Sequence, residues 1–185
     1  MDQLSLHIID IVENSIRAKA NFIKINIVEN TIADIFEIEI IDNGFGMEKE
    51  SLEKAVDPFY TTRTTRKVGI GLSLLKQNAE MTGGSLHISS TSGKGTQLKA
   101  TFIHSHIDRP PLGDMASVFS LLMYSNTEIH FEYIHKVNHL IYRIDSVEVI
   151  EALEETTITT PGIRNMITEM IRNNLDDLHK TSFGA

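Results

Sequence analysis

The 185-residue chain is 41% hydrophobic and 23% charged, the balance of a soluble globular protein long enough for one domain or one domain with an appendage. It has no cysteine, which excludes disulfides and thiolate metal sites and fits a reducing cytoplasm. The net charge of −8 disfavours a broad nucleic-acid surface, and it divides into −2 over residues 1–103 and −6 over 104–185, a hint of two units.

The opening MDQLSLHIID lacks the basic-then-apolar layout of a signal peptide. No apolar run approaches the roughly 20 residues of a membrane helix, so a cytoplasmic protein without membrane contact is expected. Residues 2–20 read as a helix whose apolar stripe holds Leu4, Ile8, Ile11, Ser15 and Ala18. FIKINIVE (22–29) and DIFEIEII (34–41) alternate with period two and form a hairpin across NTIA. MEKESLEKAV (47–56) predicts a short amphipathic helix halted by Pro58, and residues 57–68 have no period and read as loop. A helix over 71–82 stops at Gly83-Gly84, and strands over 85–90 and 96–103 flank TSGKG.

Helices gathered between hairpins predict an α+β fold, a two-layer sandwich of a mixed sheet with helices on one face. HSHIDRPPLGD (104–114) breaks the pattern and suggests a boundary, with units over 1–104 and 105–185. The second unit reads as a small α+β extension: a helix over about 114–125, a hairpin of TEIHFEYI and HLIYRIDS turning at Lys136–Asn138, and two helices. The last is expected to start at Pro161, a favoured first helical position. Ile129, Phe131, Tyr133 with Leu140, Tyr142, Ile144 give the hairpin one apolar face, and Ile163, Met166, Ile167, Met170, Ile171 give the last helix another. These faces pack on each other or on the first unit; the alternative is a partner or self-association surface.

The first helix carries a second pattern. His7, Asp10, Asn14 and Arg17 span about 80° of the helical wheel, away from the apolar stripe. Alone this reads as a solvated face, and Glu13 sits four before Arg17 in the favoured order for a surface ion pair. Gly69 and Gly71 open a helix whose free N–H groups suit an anion, and Gly93-Lys94-Gly95-Thr96 makes a tight turn into a strand.

Taken in order, ENSIRAKA (13–20), DNGFGM (42–47), DPFYTTR (57–63), GIGL (69–72) and GKGT (93–96) resemble the signature boxes of the GHKL ATPase and kinase superfamily. That superfamily, built on the Bergerat ATP-binding fold, includes gyrase B subunits, heat-shock chaperones, histidine kinases and MutL-type repair proteins. The resemblance covers about residues 4–103 and is closest to the ATP-binding (HATPase) domains of sensor histidine kinases, although ENSIRAKA is nearer the MutL side. SHIDRPPLGDM resembles a segment of small stand-alone bacterial ATP-binding proteins found beside iron-hydrogenase genes.

The resemblance implies ATP and Mg²⁺ as ligands and a role for each matching residue. Asp42 accepts a hydrogen bond from the adenine amino group with Thr96 assisting, and Gly44 and Gly46 let the nucleotide approach the backbone. Asn14 holds Mg²⁺ through its amide oxygen, and Arg17 either lies near phosphate or pairs with Glu13. Asp10 stands where hydrolytic members keep a glutamate; one methylene shorter, it weakens the case for brisk hydrolysis but still suits positioning a water or phosphoacceptor. Residues 57–68 match the ATP lid, with Phe59 and Tyr60 at its hinge and Thr62, Arg63, Arg66 and Lys67 toward the phosphates. Gly69, Gly71 and Leu72 cap the phosphates from the helix start.

His104, His106, His130, His135 and His139 invite a check for metal binding, but no carboxylate or cysteine pattern joins them in sequence. His7 lacks the acid that should follow a phosphoacceptor histidine. With 13 residues before Asn14, the expectation is a solitary catalytic domain that phosphorylates or regulates a separate partner protein. The alternative is a weak ATPase or an ATP-sensing switch that controls partner assembly by lid closure.

Overall fold

The computed structural model describes residues 3–48, 50, 52, 70–153 and 157–183. Its elements in chain order are α1 (Leu4–Arg17), β1 (Phe22–Asn30), β2 (Ile35–Asp42), α2 (Ile70–Met81), β3 (Ser85–Thr91) and β4 (Gly95–Ile103). There follow α3 (Met115–Ser125), β5 (His130–Val137), β6 (Leu140–Asp145), α4 (Ser146–Ala152) and α5 (Ile163–Phe183). Of the helix expected over 47–56, only residues 47, 48, 50 and 52 are described, and the loop expected over 57–68 lies outside the described residues.

All six strands form one mixed sheet in the order β3-β4-β2-β1-β5-β6. The period-two alternation works as expected: Ile23, Ile25 and Ile27 of β1 and Phe36, Ile38 and Ile40 of β2 are buried, while intervening residues such as Lys24, Asn26, Glu37 and Glu39 are only partly covered or exposed. The buried face packs under α1, α2, α3 and α5, giving the two-layer α+β arrangement. In α1 the stripe of Leu4, Ile8, Ile11 and Ser15, joined by Val12, faces that core.

The hairpin of β5 and β6 extends the first sheet. Strand β5 pairs parallel with β1 from Phe22↔His130 to Glu29↔Val137, while β2 pairs antiparallel with the other edge of β1. The same hairpin also buries a face: Phe131 and Tyr133 meet Phe119 of α3 at ring-centroid distances of 6.4 and 5.4 Å. Residues 111–112, within the segment that interrupts the sequence pattern, turn back onto α1. Their carbonyls accept from the backbone N–H groups of Leu4 and Ser5 at 2.9 and 2.7 Å, filling bonds that a helix start leaves open.

The last helix departs from the expected pattern in two ways. It begins at Ile163 because Gly162, at φ +89°, interrupts the helical path just after Pro161. Its buried face holds Ile167, Ile171 and Leu178, whereas Met166 and Met170 are exposed.

Two local arrangements yield tests of this architecture. Asp145 ends β6 and caps α4: its Oδ1 accepts from the Val147 N–H at 2.9 Å, and its Oδ2 lies 2.8 Å from His130 Nε2 and 3.0 Å from an Arg143 guanidinium nitrogen. Burial pushes its pKa up, but the bonds from His130 and the Val147 N–H outweigh that and hold it below the ordinary carboxylate value. A lowered folded pKa stabilises the protein fully above about pH 4 and is lost as pH falls through the lower folded value. Asp145→Ala should therefore cost about 1–3 kcal/mol near neutrality, a deficit in urea unfolding that narrows toward pH 3. A deficit independent of pH would contradict the pairing. In the β3–β4 turn, Gly93 and Gly95 both have positive φ, but a Cβ on Gly93 would meet nothing within 4 Å, whereas one on Gly95 would lie 2.0 Å from the Asp42 carbonyl oxygen. Gly93→Ala should cost about 1–2 kcal/mol and Gly95→Ala about 3 kcal/mol or more, read from unfolding midpoints. Equal losses would count against this turn geometry.

Candidate nucleotide site

Strand β2 ends in Asp42, whose parity continues that of Phe36, Ile38 and Ile40 and turns its carboxylate toward the interior, 8% exposed. A carboxylate there must be met by donors or its desolvation is uncompensated. Oδ2 accepts from the Ser15 hydroxyl at 2.7 Å, and Oδ1 accepts from the Gly44 N–H at 2.9 Å. These bonds use two of roughly four lone-pair positions and leave acceptor capacity for a further donor. Thr96 is the direct register partner of Asp42 across the β2–β4 ladder. Its hydroxyl lies 2.9 Å from that of Ser90, which also accepts from the Met47 N–H at 2.8 Å.

The DNG stretch is fastened on three sides. Asn43 Oδ1 accepts from the backbone N–H groups of Asn21 and Phe22 at 3.0 and 2.9 Å, tying the end of β2 to the start of β1. The Phe45 N–H donates to the Ala18 carbonyl at 2.8 Å, and the Gly93 N–H donates to the Phe45 carbonyl at 2.7 Å. Gly44 and Gly46 are required by close approach: a Cβ would lie 2.7 Å from the Ala18 carbonyl oxygen and 2.1 Å from that of Thr91, respectively. The two glycines that follow the acid thus let three turns pack against one another.

The polar stripe of α1 divides along its length. His7 is fully buried, its Nδ1 3.1 Å from the Gly71 carbonyl and its Nε2 3.4 Å from the Asn78 amide nitrogen. A carbonyl only accepts, so Nδ1 carries the proton and Nε2 accepts. Burial lowers the His7 pKa more than the bond to Gly71 raises it, which keeps the ring neutral. His7 therefore fastens α1 to α2 and offers no free nitrogen. Asp10, half-buried, faces the first turn of α2; a Cβ on Gly71 would lie 2.5 Å from its Oδ2. Burial first, then the charge of Glu13, raises the Asp10 pKa. Leu72 packs against the core beside it.

Beyond Asp10 the stripe is exposed. An Arg17 guanidinium nitrogen donates to Asn14 Oδ1 at 2.6 Å, and another lies 3.6 Å from Glu13. The pairing of Arg17 with Glu13 is therefore present, and the guanidinium also holds the Asn14 amide oxygen. Phe59, Thr62, Arg63, Lys67 and Gly69 lie outside the described residues. Ser15, Ser90 and Asn43 have contacts that sequence reasoning does not assign. For Ser15 the signal is there, since a hydroxyl in the apolar stripe of α1 needs a buried partner.

Comparison with known proteins agrees with this arrangement. Residues 2–106 match the family model for the histidine kinase-, DNA gyrase B- and HSP90-like ATPases. Sensor kinase CckA of Brucella abortus is 40% identical over 68 residues, covering 36% of this chain and 7% of its own. Sporulation kinase D of Bacillus subtilis is 29% identical over 100 residues, covering 54% of this chain and 20% of its own. The chain thus spans a fifth or less of the length of these two relatives. The crystal structure of the N-terminal domain of a DNA repair protein shares the fold at TM-score 0.56 and 21% identity, over 78% of this chain and 52% of that one. Among the described residues no helix is long and apolar enough to cross a membrane. With the family model covering more than half its length, the chain belongs to the histidine kinase-, DNA gyrase B- and HSP90-like ATPases and carries their ATP-binding domain.

Proposed function

We propose that the protein binds ATP with Mg²⁺ at the α1–β2–α2 site and phosphorylates or regulates a separate partner protein. The observation that carries this reading is the Asp42 carboxylate, buried, held by Ser15 and the Gly44 N–H, and still able to accept. Adenine supplies an amino donor at the position where guanine has a carbonyl, so Asp42 selects the base and Thr96 assists on the same ring. Gly44 and Gly46 keep the adjoining turns close to that base. Residues 1–104 form the nucleotide unit in this reading, and 105–185, with their acidic excess, favour a basic partner surface.

Asn14 is the metal ligand. Its amide oxygen is a hard donor of the kind Mg²⁺ accepts, and one such ligand suffices for an ion that keeps most of its waters. The Arg17 guanidinium already sits on that oxygen, so the site favours positive charge there, and Arg17 is free to turn to phosphate when the ion arrives. The ion supplies charge neutralisation along the triphosphate. Phe59, Thr62, Arg63 and Lys67 serve as lid contacts, and Gly69, Gly71 and Leu72 present the start of α2 to the phosphates. Asp10 positions the attacking group; its raised pKa makes it a better proton acceptor than an ordinary aspartate.

A second reading, an ATP-sensing switch or weak ATPase without phosphotransfer, has its own support. His7 is bonded to the Gly71 carbonyl, so a ligand that moves the start of α2 also pulls on α1. A transfer assay with labelled ATP and candidate partners, run beside phosphate release, separates the two.

Asp42→Asn should weaken ATP binding about 10- to 150-fold in calorimetry at millimolar Mg²⁺, the equivalent of about 1.5–3 kcal/mol for a charge-assisted bond, with a thermal melt to verify folding. Wild-type protein that binds neither ATP nor ADP, or binds GTP as tightly, would overturn the assignment of Asp42. Asp10→Asn should leave ATP affinity within about threefold while stopping turnover. Because the folded Asp10 pKa lies above 3.8, wild-type turnover should rise with pH through that higher value as the acid ionises. Turnover surviving in Asp10→Asn would remove this residue from the chemistry.

A further inference from the structure

At the end of the sheet opposite Asp42, β1 finishes on the buried side with Glu29. Asp42 is the register partner of Ile23, six residues away along β1, so the two acids stand about 20 Å apart. Three histidines from distant parts of the chain direct the same ring nitrogen at this one carboxylate. His135 Nε2 of β5 lies 2.7 Å from Oε1, His179 Nε2 of α5 lies 2.9 Å from the same oxygen, and His104 Nε2, just beyond β4, lies 3.3 Å from Oε2.

We propose that Glu29, His135 and His179, with His104 beside them, form a binding site for a divalent transition-metal ion of the zinc type. Imidazole with carboxylate suits Zn²⁺ and its first-row neighbours, whereas Mg²⁺ and Ca²⁺ prefer oxygen throughout, so this ion differs from the one that accompanies ATP. His179 Nδ1 lies 2.8 Å from the Leu175 carbonyl, which only accepts, so that nitrogen holds a proton and Nε2 is the atom turned to Glu29. The 2.9 Å contact between His179 Nε2 and Glu29 Oε1 therefore holds a cation, either a proton on Nε2 or a metal ion between the two atoms.

Metal-binding histidines are commonly fixed through their other nitrogen by a carbonyl, carboxylate or hydroxyl partner. Here His179 has the Leu175 carbonyl, and His135 Nδ1 has the buried Tyr133 hydroxyl at 2.7 Å. The ligand atoms already lie within 4.8 Å of one another. Tetrahedral zinc with bonds of about 2.0–2.1 Å separates its ligands by roughly 3.3 Å, so lengthening the 2.7 and 2.9 Å histidine–Glu29 contacts by about half an ångström admits the ion. A cleft of about 260 Å³, lined by residues 112–116 and by α5, reaches His135 and His179 and gives the ion a route and a solvent-side position. The alternative occupant of the gap is a proton on His179, which makes the cluster an imidazolium–carboxylate staple.

Chelator-treated full-length protein titrated with Zn²⁺ by calorimetry should take up one equivalent, and with Co²⁺ should develop the intense visible absorption of a four- or five-coordinate site. Glu29→Gln and His179→Ala should each weaken Zn²⁺ binding at least tenfold and remove the Co²⁺ band, while His106→Ala and His139→Ala, outside the cluster, should change neither. Thermal melts without metal verify that the variants fold. Because His179 is partly exposed on a helix, His179→Ala keeps the test open even if Glu29→Gln unfolds. No saturable uptake by the wild type, or uptake that persists in His179→Ala, would overturn the proposal in favour of the proton-held staple.

Discussion

Strand β1 is hydrogen-bonded along its length on both edges, antiparallel to β2 and parallel to β5, and every other feature hangs from that double ladder. The antiparallel side fixes the register that sets Asp42 beside Ile23 and, one strand further, beside Thr96. The parallel side brings His135 and α5 to Glu29. A slip of one residue by β2 against β1 would turn Phe36, Ile38, Ile40 and Asp42 to the other face, so the apolar core enforces the position of the acid.

This arrangement gives the two acids a common logic. Each continues the inward parity of its own strand, Glu29 after Ile23, Ile25 and Ile27, Asp42 after Phe36, Ile38 and Ile40. Because the strands run in opposite directions, the acids emerge at opposite ends of the sheet. Both are covered, and both are satisfied by side chains from elements elsewhere in the chain: Ser15 from α1 in one case, His135 and His179 in the other. The hydrogen bonds from these histidines overcome the effect of burial and keep the Glu29 carboxyl far below its ordinary pKa.

The strands, the main helices and the acid at the end of β2 were legible in the sequence because period-two and period-3.6 patterns are local. The polar stripe of α1 was legible as an angle but not as an environment: nothing near His7 indicates that α2, more than sixty residues on, covers it. The β1–β5 pairing was not legible, since a parallel ladder joins residues about a hundred positions apart with no turn between them to mark it. Glu29 is the instructive omission. Its place on the buried face follows from the same alternation that identified the strand, yet its partners come from three other segments, so the histidines lacked a carboxylate only while the chain was read as a line. Pro161 shows the opposite error, a sound local preference overridden by the left-handed glycine that follows it.

The match to the ATPase family ends at residue 106, but the strand that covers the free edge of β1 begins at His130. During synthesis, then, an almost complete nucleotide-binding half must wait with an open row of backbone donors and acceptors while some thirty more residues leave the ribosome. Closing that gap joins segments far apart in the chain, an event slowed by the entropy of the intervening loop. The bare edge is also a template for another nascent chain. The residues past the family boundary thus close an edge of the sheet that the matched segment alone would leave open.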